Sequence, residues 1–201
     1  MKQLKLGNKF IKEKLLKKLI VVSIIFFSLI LIGVFVFTKN QELAKEIVNS
    51  FLEANADMIN SNGGITISKL ILNNIFASLY SVALGFIPFL FVPVVALITN
   101  SLLIGATLGF TSVTMSTSSL KIFVLGILPH GILELPALLI SLTMGIYLCI
   151  KVSNKILRRE DEKIKDVLKE ILRVFIMIIV PMLVLAGIIE CLITPMLITT
   201  I

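Results

Sequence analysis

The sequence predicts an all-α polytopic membrane protein: a transmembrane helical bundle of about five spans with a broken or re-entrant segment near residues 120–136. Three observations predict it. Of 201 residues, 57% are apolar and only 15% are charged, and the mean hydropathy is +1.06, outside the range of a soluble domain of this size. The charges are gathered into a few short stretches instead of alternating along the chain. Between them lie uncharged runs long enough to cross a hydrocarbon layer of about 30 Å, which takes a helix about 20 residues.

The chain opens with a basic segment, 1–18, holding seven Lys against one Glu. From residue 19 to residue 201 it reads as one membrane domain. The first span is 19–38. It is too long for the apolar stretch of a secretory signal, and "VFVFTKN" offers no small-x-small cleavage site, so it reads as an uncleaved anchor. Residues 70–120 contain no charge, and a helix rising 1.5 Å per residue would be far too long for one crossing. The chain must turn, and Pro88 and Pro93 mark the turn, since each removes a helical donor. The second and third spans are therefore 70–88 and 93–112. A fourth lies within 122–150, its proper start placed at 132, and a fifth is 174–194.

Orientation follows from the cations. The 151–173 loop carries eight Lys or Arg against five acids, whereas 39–69 has three Lys against four acids. The positive-inside rule puts the N-terminus and the 151–173 loop in the cytoplasm, and five spans leave the C-terminus outside, in a multi-pass protein of the plasma membrane. The net charge of +7 belongs to these flanks and to anionic lipid; no nucleic-acid partner is implied. Cys149 and Cys191 fall near opposite faces in this arrangement, so no disulfide between them is expected.

Between the first two spans, residues 41–60 place Leu43, Ile47, Val48, Phe51, Leu52, Met58 and Ile59 on one face and Glu42, Lys45, Glu46, Asn49, Glu53 and Asp57 on the other, an amphipathic helix that reads either as lying on the outer membrane surface or as a docking surface for an extracytoplasmic partner. Glycines at 63–64 end it, and Ser68 is a candidate cap for the next span. "GATLG" at 105–109 is a small-xxx-small pattern, a candidate helix contact face.

Polar residues inside the spans carry what functional signal there is. His130, the only histidine, precedes Glu134 by four residues and so shares its helix face. Glu134 lies 17 residues from Lys151, and Glu190 lies 17 residues from Arg173; the two carboxylates are expected at one depth, in the outer part of the bilayer. Asn73 and Asn74 enter at a similar depth, with Asn100 nearer the middle. Asn73, Asn74, Asn100, His130, Glu134 and Glu190 thus form a candidate intramembrane polar cluster. An ionisable group at that depth is costly and is by default functional; as structural glue between helices it would be equally well placed. Pro129, Gly131 and Pro136 are expected to break the helix beside it.

No catalytic constellation accompanies the cluster. A single His with two carboxylates is a thin metal-ligand set, and "HGILE" lacks the second His of a zinc-protease helix, so no metal is expected. There is no nucleophile elbow and no phosphate-binding glycine loop; neither an enzyme nor a cofactor is expected.

The stretches "LNNIFASLYSVALGFIPF", "NSLLIGATLGF", "LPHGILELPALLIS" and "LVLAGIIECLITP", in this order and spacing, resemble the stage II sporulation protein M family of integral membrane proteins. The resemblance runs from about residue 43 to 196. It implies a helical plasma-membrane protein, and in spore formers a membrane scaffold for peptidoglycan-degrading partners during engulfment; members also occur in bacteria and archaea that form no spores. Two functions follow. One is a non-catalytic scaffold organising a cell-envelope complex, with extracytoplasmic envelope proteins such as peptidoglycan hydrolases as partners in a spore former. The other is a small transporter or channel using His130, Glu134 and Glu190. Self-association into a homo-oligomer is compatible with either.

Overall fold

The computed structural model describes residues 2–56, 66–159 and 163–199. Among them the chain is helical throughout, in seven helices: α1 (Lys2–Lys39), α2 (Gln41–Ala54), α3 (Ile67–Phe86), α4 (Val92–Thr114), α5 (Ser119–Ile156), α6 (Ile164–Leu192) and the short α7 (Thr194–Ile198). Five of these, α1, α3, α4, α5 and α6, are long and apolar enough to span a bilayer. Met58, Ile59, Asp57 and the glycines at 63–64 lie outside the described residues.

α5 is the axis of the bundle, packed against α1, α3, α4 and α6. Its stretch from Leu139 to Gly145 is buried on every side, as are Tyr147, Leu148 and Cys149, which is the pattern of a helix enclosed by neighbours. Leu142, Met144 and Leu148 of α5 are fully buried, as are Ile179 and Leu183 of α6 and Phe26 of α1. The outside is apolar as well: Leu31 is 72% exposed and Phe76 63%. A surface of this kind is stable only against lipid.

The basic segment is not a separate tail. Lys2–Phe10 continues through a π-helical turn, Ile11–Leu15, into the first span. Phe10 packs edge-on against Tyr147, ring centroids 5.7 Å apart, and the Arg173 guanidinium donates to the Gln3 side-chain oxygen at 2.7 Å. The basic ends of α1, α5 and α6 therefore sit together.

The α3–α4 turn falls where the two prolines lie. The last turn of α3 tightens to a 3₁₀ turn at Leu84–Phe86, Phe89 and Phe91 adopt left-handed φ values of 66° and 46°, and Pro93 opens α4, where its missing N–H costs nothing. Side chains of α5 hold the turn: Phe89 N–H donates to Ser153 Oγ at 3.0 Å and the Cys149 thiol donates to the Ile87 carbonyl at 3.3 Å. Cys149 and Cys191 are both free thiols. Thr66, not Ser68, stands at the N-cap of α3, and its side chain makes no capping hydrogen bond.

α1 and α4 pack along most of their length, and Gly105 lets them meet. A Cβ there would lie 2.9 Å from the Gly33 Cα, so only glycine allows this approach.

Two further expectations from the sequence are corrected. The first concerns which side of α2 is buried as the helix folds back along α4. Gln41 donates to the Phe37 carbonyl at 2.7 Å and to the Gly109 carbonyl at 3.4 Å; Ala44 is fully buried against Phe37 and Ala106, and Ile47 and Val48 pack beside it. Leu43 and Leu52, assigned to the apolar face, point outward at 48% and 51% exposure. Amphipathic periodicity reveals that a face is buried, not whether lipid or protein buries it.

The second concerns the break at Pro129, Gly131 and Pro136. The chain is helical without interruption from Ser119 to Ile156, and Pro136 lies inside α5. The irregularity lies one turn earlier, as a π-helical turn at Phe123–Ile127 that closes with the Leu128 N–H on the Phe123 carbonyl. α6 repeats the device: a π-helical turn at Phe175–Ile179, closed by the Val180 N–H on the Phe175 carbonyl, directly precedes Pro181. The proline ring clashes with the carbonyl four residues back. Taking in one extra residue in the preceding turn relieves that clash without ending the helix. At about 1.5 Å per residue α5 is about 57 Å long, so it extends well beyond a hydrocarbon layer instead of breaking within it.

Candidate functional site

The end of the bundle away from the basic flanks holds the polar residues, and five helices contribute. Phe51 of α2, Asn73 and Asn74 of α3, Asn100 of α4, Glu134 of α5 and Leu183 of α6 are among the residues lining a half-open cavity of about 250 Å³. Asn100 is tied to its own helix, its amide donating to the Ala96 carbonyl at 2.8 Å. The Asn74 amide nitrogen is buried and has no hydrogen-bond partner among the described residues. A buried donor without a partner costs about 1–3 kcal/mol, and this one stands in the wall of a cavity large enough for several waters.

Glu134 also belongs to a second group. His130 and Glu134, one helical turn apart on α5, meet Glu190 of α6, and one ligand atom from each lies within 4.8 Å of the other two. The α5–α6 contact brings Glu190 to the pair, and on the same helix Gly187 packs against Ile71 of α3. His130 Nε2 and Glu134 Oε2 are 3.9 Å apart, near enough to interact electrostatically and too far for a hydrogen bond. On its other edge His130 Nδ1 lies 3.1 Å from Thr194 Oγ1. Thr194 is 5% exposed and opens α7, which packs against the π-helical turn of α5.

The structure thus gathers all six polar residues singled out in the sequence at one end of the bundle. Asn73, Asn74 and Asn100 share the cavity with Glu134, while His130 and Glu190 join Glu134 in the cluster and do not line the cavity. Pro129 and Pro136 are half-buried and Gly131 is buried, all within continuous helix. Thr194 was missed; its one sequence signal is that it follows Glu190 by four residues, the same helical step that links His130 to Glu134. Chemically, the arrangement offers one imidazole and two carboxylates on two helices, with a hydroxyl orienting the imidazole. That donor set can hold a proton between its members or a divalent cation.

The comparisons agree with this geometry in extent. No solved structure matches the chain. A protein from Methanocaldococcus jannaschii, described as "Uncharacterized protein MJ0793", is 34% identical over 130 residues, 62% of this chain and 69% of that protein. The family model described as "Stage II sporulation protein M" matches residues 22–195. That match runs from Val22 in α1 to the Thr-Pro step of α7, and takes in every residue of the cavity and the cluster; the chain belongs to the stage II sporulation protein M family.

Proposed function

We propose that the protein is a non-catalytic scaffold of the plasma membrane that organises a cell-envelope complex, with its N-terminus and the 151–173 loop cytoplasmic and its C-terminus outside. The observation that carries this reading is the free face of α2. Ala44, Ile47 and Val48 dock that helix on α4, so its attitude is fixed, while Glu42, Leu43, Glu46, Leu52 and Glu53 are exposed. A rigidly mounted helix presenting alternating acidic and apolar side chains is suited to a protein partner; in a spore former those partners would be peptidoglycan hydrolases.

Transport through the bundle is the second reading, favoured by the cavity beside Glu134. Against it, the path from the cavity to the basic end is filled by Met144, Leu148, Ile179 and Leu183, all with at most 1% exposure. A polar solute would have to cross that packed layer. Crosslinking of native membranes followed by identification of co-purifying proteins, for the wild type and for Glu134→Gln, separates the two. The scaffold reading expects the same extracytoplasmic partner with both chains. Absence of any partner, together with flux in liposomes that Glu134→Gln abolishes, would overturn it.

A further inference from the structure

We propose that His130, Glu134 and Glu190 form a binding site for one divalent first-row transition-metal cation, Zn²⁺ or a close analogue, with Thr194 as the residue that orients the imidazole. The inference is independent of the scaffold reading and concerns the cluster alone.

Three features of the site carry it. The first is reach. Metal–nitrogen and metal–oxygen bonds of about 2.0–2.2 Å on a tetrahedral ion put neighbouring ligand atoms about 3.4 Å apart. The His130–Glu134 pair at 3.9 Å, and the whole set within 4.8 Å, need only small side-chain rotations to close on such an ion. The same 3.9 Å is too long for the imidazole and carboxylate to satisfy each other directly.

The second is the orientation of the ring. His130 Nδ1 lies 3.1 Å from Thr194 Oγ1, and its Nε2 faces Glu134; in the tautomer in which Nδ1–H donates to the hydroxyl, Nε2 keeps its lone pair on the side of the carboxylates. A ligating histidine characteristically gives its other ring N–H to an oxygen that fixes it in this way. Thr194 is buried and arrives from a separate helix, α7, so the contact is made by the tertiary fold and is not an accident of neighbouring turns.

The third is charge. Two carboxylates converge in a membrane bundle, and a buried charge persists when it is paired or coordinates a metal. A divalent ion neutralises both at once and ties α5 to α6. The mixed nitrogen and oxygen donors favour Zn²⁺, Co²⁺ or Mn²⁺ over Ca²⁺, which takes an all-oxygen shell. Three protein ligands leave a coordination position for water, and Glu134 also lines the Asn-walled cavity, where such a water would find partners.

In the sequence these three residues read as a thin ligand set because they are not in one motif. His130 and Glu134 come from one helix and Glu190 from the next span, 56 residues further along.

The test uses the full chain in detergent micelles, freed of metal with a chelator and titrated with Co²⁺, whose visible absorption reports its coordination number, then with Zn²⁺ as competitor. The wild type is expected to bind about one Co²⁺ per chain in a four- or five-coordinate site that Zn²⁺ displaces. His130→Ala and Glu190→Gln should abolish that band, Thr194→Val should weaken binding by about 10–100-fold, and Glu13→Gln, exposed on the basic N-terminal segment at the other end of the bundle, should change nothing. X-ray absorption on the zinc-loaded wild type should give nitrogen and oxygen ligands only, independently of whether any variant folds. The proposal is overturned if the folded wild type takes up no stoichiometric Co²⁺, or if Thr194→Val and Glu190→Gln, folded by circular dichroism, bind as the wild type does.

Discussion

Replacing Gly105 by alanine probes the closest approach in the bundle. An added Cβ would stand 2.9 Å from the Gly33 Cα and 3.0 Å from the Ile30 carbonyl oxygen. Carbon atoms pack at about 3.5–4.0 Å, so α1 and α4 must separate by about 0.6 Å, and because the obstructing atoms are backbone no rotamer change can absorb it. Overpacking of this kind costs about 1–3 kcal/mol, against a helix-propensity gain of about 0.5–1 kcal/mol for alanine over glycine. Gly7→Ala is the matched control: its Cβ would meet Ile178 Cδ1 at 3.4 Å and Val174 Cγ2 at 3.6 Å, ordinary contacts that leave the propensity gain intact. Gly105→Ala should therefore be less stable than Gly7→Ala by about 1–3 kcal/mol, with about 2–4 °C of unfolding midpoint for each kcal/mol at this chain length. The measurement is a pair of unfolding curves in the same detergent. Equal midpoints, or a more stable Gly105→Ala, would refute the reasoning that this contact sets the α1–α4 spacing.

Orientation can be read with an impermeant thiol reagent in a Cys149→Ala, Cys191→Ala background. Ser116→Cys, in the exposed α4–α5 turn, should label on intact cells, and Arg158→Cys, in the exposed turn after α5, only after lysis; the opposite pattern would invert the topology. Ser153→Ala removes the acceptor for the Phe89 N–H and should cost about 1–3 kcal/mol. Because Cys149 is fully buried beside the same turn, its labelling by a small permeant thiol reagent should accelerate in that variant, and unchanged labelling would show that the turn is held by other means.

What the sequence disclosed of this site depends on a property of membrane helices. Glu134 and Glu190 are far apart in the chain, yet counting from Lys151 and from Arg173 puts both at one level, because helices anchored at one interface share a common ruler of about 1.5 Å per residue. Apolar run lengths disclosed the spans for the same reason. The ruler measures height alone. Which neighbours face one another around the bundle is set by packing, so the division of the polar residues between a cavity and a cluster, with Glu134 common to both, could not be counted out.

The misjudged details have equally definite causes. Pro129 was expected to end a helix because it lacks a donor, but a helix held on several sides loses less by bulging than by breaking, and the π-helical turns before Pro129 and Pro181 take up the steric conflict locally. The predicted face of α2 was drawn from apolar periodicity, which ranks Leu43 and Leu52 above Ala44; the packing chose Ala44, because a small residue lets α2 approach α4 where Ala106 lies. Size, not hydrophobicity, selects contact faces when everything around them is apolar. Thr194 follows the same logic from the polar side: its four-residue step from Glu190 does not say which ring it faces, and its role exists only because α7 packs against the first turns of α5 and sets that hydroxyl 3.1 Å from the His130 ring.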